Sequence, residues 1–140
     1  MKLKIFTDGG ARGNPGPAAI GILIQDENGE TILEHGETIG EATNNVAEYR
    51  ALIEGLKQAH VLHALEIDCH LDSELVVKQL RGEYRLKNLN LKKLFDEVRK
   101  IESNFSKVCY RHLRREDERI QQADRLVNDA LDQAKNKRLN

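Results

Sequence analysis

The segment Lys2–Pro17, with the sequence KLKIFTDGGARGNPGP, decides the fold of this chain. Its first half predicts a β-strand with alternating faces that delivers one carboxylate, Asp8, to the strand end. Its second half contains four glycines and two prolines, which favour tight turns and stop a helix. A carboxylate followed by flexible backbone N–H groups suits a metal or phosphate site. The same residues also suit a turn that Asp8 merely caps, and this stretch alone leaves both interpretations open.

The remaining apolar patterns predict a mixed α/β chain. Strands are predicted at 18–25, 31–39, 65–72 and 105–113, and helices at 43–60, 73–82, from Asn90 onward and around 123–134. Asn90 is expected to cap the third helix, and Asp124 to open the last one. The helix that follows Thr43 connects the third strand to the fourth. A crossover of this kind predicts that the fourth strand runs parallel to its neighbour in the sheet.

Length and composition indicate one domain at 1–135, with a frayed tail at 136–140. The chain has no apolar run near the ~20 residues of a membrane span, and no basic and apolar leader, so we expect a cytoplasmic protein without a membrane partner. The two cysteines, Cys69 and Cys109, are too few for a disulfide framework and wrongly spaced for zinc. We interpret both as buried thiols.

Charge is unevenly distributed along the chain, although the net charge is only −1. Residues 26–80 contain 12 acidic and 3 basic side chains, whereas residues 81–119 contain 12 basic and 7 acidic side chains. Such a division fits a protein that holds cations at one place and a polyanion at another. An uneven but well-solvated surface is common, so the division alone is only an indication.

Four carboxylates can meet at one edge of the predicted sheet. Asp8 and Asp72 end two strands, Glu48 lies in the first turns of the crossover helix, and Asp124 begins the last helix. Each acid alone is explained by a helix cap or by the helix dipole. Together, without basic partners, they would be costly unless cations neutralised them, and oxygen ligands favour Mg²⁺ or Mn²⁺. Two such ions about 3.5–4 Å apart are the usual apparatus for attack on a phosphodiester.

Four segments, taken in order, carry a family resemblance. They are TDGGARGNPGPAA at 7–19, ATNNVAEY at 42–49, LDSELVV at 71–77 and ADRLVNDA at 123–130. As a set they resemble the motifs of type 1 ribonuclease H, and the likeness extends from Lys2 to about Leu131.

The resemblance implies a three-layer ribonuclease H-like α/β fold, with a five-stranded mixed sheet of order 3-2-1-4-5 and helices on both faces. It implies endonucleolytic cleavage of the RNA strand of an RNA–DNA hybrid, leaving 5′-phosphate and 3′-hydroxyl ends. Asp8, Glu48, Asp72 and Asp124 would be the catalytic carboxylates that bind two Mg²⁺ or Mn²⁺ ions. A monomer without an organic cofactor is expected.

The resemblance also implies which residues bind the substrate. Asn14, Asn44 and Asn45 match positions that contact the RNA strand, and the backbone N–H groups of Gly9 and Gly10 would join them. Amides both donate and accept hydrogen bonds, as reading of 2′-hydroxyls across a shallow minor groove requires.

Two departures from the family pattern stand out. The segment between Gln79 and Lys87 is short where many members carry a long basic handle, so the chain resembles the subgroup that lacks it. Binding would then depend on Lys87 and its basic neighbours. Many members also have a histidine ten residues before the last aspartate, whereas His112 stands twelve residues before Asp124. His112 is interpreted as a residue for proton transfer or product release, or equally as a packing residue.

Two alternatives come from other functional classes. The first is a catalytically inactive hybrid-binding module of the same fold, which a missing acid would favour. The second is another metal nuclease on this fold, such as a junction resolvase or an integrase core. The presence of all four acids favours an enzyme, and the Asn44–Asn45 pair favours a hybrid substrate.

Overall fold

The computed structural model describes residues 1–139, and side chains through residue 137. Over this range the chain forms five strands and four helices. They are β1 (Lys2–Ala11), β2 (Gly16–Gln25), β3 (Thr31–Ala42), α1 (Asn44–Val61), β4 (Glu66–Leu71), α2 (Glu74–Leu80), α3 (Leu89–Glu102), β5 (Lys107–His112) and α4 (Glu118–Leu139). Only residues 81–88 separate α2 from α3.

The strands form one sheet in the order β3-β2-β1-β4-β5. The first three strands are antiparallel, whereas β4 is parallel to both β1 and β5. This confirms the predicted sheet order and the parallel fourth strand. Thr7 is opposite Leu71 in the parallel ladder, so the residues that follow them, Asp8 and Asp72, lie side by side where the β1–β4 pairing ends. Asp8 was predicted to end its strand, but β1 continues to Ala11 because residues 8–11 still pair with β2.

Helices cover both faces of the sheet, which confirms the predicted three layers. The larger core joins the sheet to α1 and α3, and its side chains are mainly aliphatic. The opposite face packs against α4 through two smaller clusters, which contain Phe6, Leu23 and Ile120, and Ala19, Val127 and Leu131. Complete burial of one such aliphatic side chain contributes about 1.5–3 kcal/mol. Both helices that carry a predicted site residue, α1 and α4, are therefore fixed to the sheet by apolar packing.

A buried polar contact also fixes α1. The hydroxyl of Tyr49 donates a hydrogen bond of 2.7 Å to Oε1 of Gln79 in α2, and both side chains are buried. A buried polar group is costly without a partner, so this pair favours one orientation of α1. Tyr49 immediately follows Glu48, so the burial of Tyr49 also fixes the orientation of α1 near Glu48.

Two predicted helix starts were wrong. The N-cap of α3 is Asn88, whose side chain accepts hydrogen bonds from the backbone N–H of Asn90 (2.9 Å) and of Leu91 (3.1 Å). Helix α4 begins at Glu118 and not near Asp124, so Asp124 lies in its second turn. The start of α4 is polar, and its first buried apolar residue is Ile120, which explains why apolar periodicity missed this turn.

Some other expectations concern the chain ends and the cysteines. Helix α4 continues through Leu139, and Asn140, which belongs to the predicted frayed tail at 136–140, lies outside the described residues. Cys69 is buried as predicted, but Cys109 is only half-buried.

In the described part of the chain, none of the helices has the length and apolarity needed to cross a membrane.

Candidate active site

Asp8 and Asp72 emerge on the same face of the sheet. Asp8 follows Phe6 by two residues, and Asp72 follows His70 by two residues, while the rings of Phe6 and His70 stack with centroids 4.7 Å apart. This is the face that α4 covers, because Phe6 packs against Ile120 of that helix. Asp8 is only 7% exposed, so its carboxylate is removed from bulk water.

Helix α1 brings Glu48 to the same place. The hydroxyl of Thr43 accepts a hydrogen bond of 3.2 Å from the backbone N–H of Val46, which starts the helix directly after β3. Glu48 is then in the second turn of α1, close to the carboxyl end of β1. The predicted approach of the crossover helix to Asp8 is therefore what the structure shows.

Helix α4 supplies Asp124 because its backbone lies directly on the sheet. A β carbon at Gly21 of β2 would be only 2.1 Å from the carbonyl oxygen of Ala123. The absence of that carbon allows the helix backbone to approach β2 at this point. Asp124 is the next residue, and it projects toward the end of β1.

The four predicted carboxylates line one open cavity of about 360 Å³. The other residues that line it are Gly9, Gly10, Ala11, Arg12, Asn44, Arg115, Val127, Asn128 and Leu131. The structure thus brings together Asp8, Glu48, Asp72, Asp124 and the pair Gly9 and Gly10, which lies in β1 and not in the predicted turn.

Burial and mutual repulsion change the acidity of this cluster. Burial, together with a hydrogen bond to Asp124 and the charges of Asp124 and Asp72, raises the pKa of Asp8 to about 8. Burial first, and then the charges of Asp8 and Asp72, raise the pKa of Glu48 well above its usual value. Negative charge in the cavity is therefore insufficiently compensated by the protein itself.

The donor set fits a hard divalent cation. The cavity offers carboxylate and amide oxygens, which are the ligands of Mg²⁺ and Mn²⁺. Burial and the neighbouring carboxylates raise the pKa of Asp8, and a bound cation would oppose both effects. Among the described residues, no three His, Cys, Asp or Glu side chains surround one point as a preformed metal centre would. A cation would have to draw the carboxylates together.

Two arginines that sequence reasoning did not select also line the cavity. Nε of Arg115 lies 3.6 Å from Oδ2 of Asp72, and the Arg115 side chain is 87% exposed. The charge of Arg115 lowers the pKa of Glu48, which partly offsets the effect of burial. Arg12 borders the cavity on the side of β1. The partners of both arginines depend on tertiary contacts. Arg12 lies within the motif at 7–19, but Arg115 lies in no motif, so the sequence carried no local signal for it.

The structure does not bring His112 to the carboxylates. His112 pairs with Leu71 in the β4–β5 ladder, two residues after Tyr110, which packs in the larger core. Alternation therefore directs His112 to the opposite face from Asp72. His112 is exposed and is absent from the described lining of the cavity.

A second cavity, of about 430 Å³, adjoins the first through Asn44. Five asparagines line it, with Thr43, Val46 and Leu91, and we call it the amide groove; its asparagines are Asn14, Asn44, Asn45, Asn88 and Asn90. It contains the three asparagines that the sequence selected. Asn88 and Asn90 were missed as site residues, because helix capping alone accounts for asparagine near the start of α3.

Hydrogen bonds hold the amide groove together. Oδ1 of Asn44 accepts from the backbone N–H of Ala11 at 2.9 Å, and Oδ1 of Asn14 accepts from the backbone N–H of Asn44 at 3.1 Å. These bonds tie the turn after β1 to the start of α1. The amide groove is therefore held in a fixed relation to the carboxylate cavity. Lys87, the remaining predicted substrate-binding residue, is exposed and directly precedes Asn88.

Comparison with known proteins places these features in context. A family model described as reverse transcriptase-like matches residues 6–130. The bifunctional protein Rv2228c of Mycobacterium tuberculosis is 45% identical over 135 residues, which are 96% of this chain and 36% of that protein. Ribonuclease HI of Halobacterium salinarum is 38% identical over 133 residues, which are 95% of this chain and 66% of that protein. The chain thus spans about a third of the mycobacterial relative.

Solved structures agree with the sequence comparison. The RNase H1 of Halobacterium salinarum superimposes with a TM-score of 0.91 at 38% identity, covering 95% of this chain and 99% of that one. LC11-RNase H1, in a structure that contains an RNA/DNA hybrid, gives a TM-score of 0.89 at 43% identity, covering 94% and 98%.

Proposed function

This chain belongs to the type 1 ribonuclease H family, and we propose that it is an endonuclease that hydrolyses the RNA strand of RNA–DNA hybrids. The observation that carries the proposal is the convergence of Asp8, Glu48, Asp72 and Asp124 on one cavity that adjoins the amide groove. The structure of a related protein, LC11-RNase H1, is of a complex with an RNA/DNA hybrid.

The four carboxylates would hold two divalent ions, Mg²⁺ or Mn²⁺. When bound, these ions would supply activation of the attacking water and stabilisation of charge on the leaving 3′-oxygen, so that the products carry 5′-phosphate and 3′-hydroxyl ends. The protein contributes a partly buried cluster of oxygen ligands whose negative charge favours cations. Arg115 adds positive charge at the rim of the cavity, where a phosphate of the substrate would approach.

The amide groove would distinguish RNA from DNA. Its asparagines present both donors and acceptors, and a 2′-hydroxyl group needs such partners. Asn44 lines both cavities, so a strand bound along the amide groove would continue directly to the carboxylates. Gly9 and Gly10 line the carboxylate cavity, and their backbone N–H groups would join the substrate contacts there. Lys87, which is exposed and precedes Asn88, would extend the binding surface.

Cleavage of a labelled RNA–DNA hybrid with Mg²⁺ or Mn²⁺, beside duplex DNA and duplex RNA, tests the proposal. We expect cutting of the RNA strand of the hybrid alone, loss of at least a hundredfold in rate for Asp124→Asn, and parental rates for Asp129→Asn on the same helix. Cutting of duplex DNA would instead favour a resolvase-like nuclease.

If the folded parent binds the hybrid but does not cut it with either metal, the chain is an inactive binding module instead. A monomeric state, a cytoplasmic location and the absence of an organic cofactor remain predictions from sequence. Sedimentation of the purified chain would test the monomeric state.

A further inference from the structure

Asp124 has a hydrogen-bond partner one helical turn further along α4. Nδ2 of Asn128 lies 3.1 Å from the backbone carbonyl oxygen of Asp124 and 3.3 Å from its Oδ2. Asp124 is exposed, so apolar packing does not restrain its carboxylate. Its orientation therefore depends on the hydrogen bonds that it makes, with Asn128 on one side and Asp8 on the other.

Arg12 holds the other end of the Asn128 amide. Its Nη2 lies 3.4 Å from Oδ1 and 3.5 Å from the backbone oxygen of Asn128, and 2.7 Å from Oδ1 of Asp132. Arg12 belongs to the turn after β1, whereas its three acceptors belong to α4. This arrangement connects the turn that follows Asp8 to the helix that carries Asp124.

The chemistry of the amide gives this connection a direction. Arginine only donates hydrogen bonds, so the Asn128 oxygen must face Arg12, and the Asn128 NH₂ group must then face Asp124. The Asp132 carboxylate holds the guanidinium about one helical turn beyond Asn128, away from a direct pair with Asp124. Asp124 thus receives a neutral donor that orients it without neutralising it, and its charge stays available for a cation.

We propose that Arg12 and Asn128 position the Asp124 carboxylate for cation binding, Asn128 by direct hydrogen bonding and Arg12 by fixing the Asn128 amide. The inference rests on the proposed function, because it assigns a metal ligand role to Asp124. Both residues are positioning residues that act through Asp124. Neither residue was selected as a site residue from the sequence, although both lie within motifs, Arg12 at 7–19 and Asn128 at 123–130.

Direct measurement of Mn²⁺ binding by calorimetry, on the full chain and without nucleic acid, tests this role. Partners of metal ligands typically contribute 10–100-fold to metal affinity, and for this exposed contact we expect Asn128→Ala to weaken Mn²⁺ binding about tenfold. Asn136→Ala, an exposed asparagine on the same helix, should bind Mn²⁺ as the parent does. Parental affinity in a folded Asn128→Ala variant would overturn the proposal.

A double-variant comparison tests the link through Arg12. If Arg12 acts by way of Asn128, Arg12→Ala weakens Mn²⁺ binding, and the double variant is no weaker than Asn128→Ala alone. Additive losses, or a raised KM for hybrid in Arg12→Ala with unchanged Mn²⁺ affinity, would show that Arg12 contacts substrate phosphate instead and overturn its positioning role. Because Mn²⁺ binding is measured without hybrid, this result is independent of whether the parent cuts RNA.

Discussion

The α carbon of Gly9 lies against the backbone of Ala47: a β carbon at position 9 would be 2.2 Å from the carbonyl carbon and oxygen of Ala47, and 2.6 Å from the amide nitrogen of Glu48. Strand β1 and helix α1 therefore meet backbone to backbone, directly beside Asp8. This contact sets the separation between the carboxylates of Asp8 and Glu48, and no larger residue at position 9 allows it.

Gly9→Ala should accordingly separate α1 from β1. Overpacking of this kind typically costs about 1–3 kcal/mol, and we expect a loss of that size or more in the free energy of unfolding, together with loss of hybrid cleavage. Urea denaturation measures the first effect. Gly10→Ala is the matched control for stability, because its β carbon would meet only Cγ1 of Val127 at 3.8 Å. Equal stabilities of the two variants would contradict the steric argument.

Asp8→Asn should stabilise the protein without metal. The pKa of Asp8 is raised to about 8, so the folded state disfavours the ionised carboxylate, and stability is lost as the pH rises from about 4 to 8. The variant avoids that loss, which corresponds to a gain of about 2–4 kcal/mol near pH 7. Denaturation in EDTA at pH 5 and pH 7.5 measures it. A gain that does not grow with pH, or that Asp129→Asn reproduces, would refute the assignment.

Arg115→Ala should lower kcat/KM for hybrid about 5–10-fold, because Arg115 is a cation at the rim of the carboxylate cavity. Loss of its charge should also raise the pKa of Glu48 further, since Arg115 now lowers it. His112→Ala should retain the parental kcat/KM, because His112 faces away from the cavity. Steady-state kinetics of both variants shows which of the two side chains contributes to kcat/KM. A larger effect of His112→Ala would restore the role predicted from sequence.

His70→Phe should make the fold less sensitive to acid. Both ring nitrogens of His70 are buried, and neither has a hydrogen-bond partner among the residues that the structure describes. Burial, followed by the charge of Arg119, lowers the pKa of His70 to about 4. The folded state thus resists protonation, and its stability falls as the pH decreases from about 6.5 to 4, by about 2–3 kcal/mol. Urea denaturation at pH 7 and pH 4.5 should show a smaller loss in the variant than in the parent. His63 lies in a turn with a positive φ of 63°, which asparagine also tolerates, and serves as the control. His63→Asn should show the same loss of stability at pH 4.5 as the parent.

The sequence predicted the parts of the site that depend on periodicity. Asp8 lies within a strand of clear alternation and Asp72 directly follows another, while Thr43 marks the start of α1. The residue pattern alone was therefore enough to bring three carboxylates together. The site residues that were missed are different in kind. Arg115 reaches Asp72 through a long side chain on an irregular segment, and the contact depends on how that segment folds.

Asparagine capping shows a second reason for error. Asn88 and Asn90 both suit the start of a helix, and local propensity does not choose between them. The choice of Asn88 leaves Asn90 facing the amide groove with it. For α4, a polar first turn concealed the helix start, which the side chain of Asp117 helps to fix by accepting a hydrogen bond of 2.9 Å from the backbone N–H of Arg119.

The short connection between α2 and α3, only residues 81–88, has a thermodynamic consequence for a polyanionic ligand. Each phosphate that a protein neutralises releases condensed counterions, and the slope of log affinity against log salt counts those phosphates, at about 0.9 per contact on duplex DNA. Residues 81–88 contain only three cations, Arg81, Arg85 and Lys87, so few phosphate contacts there would give a shallow slope and faster dissociation. We therefore expect distributive cleavage: the chain releases a hybrid after each cut and binds another one. All long hybrids in a sample would then decrease in length at a similar rate.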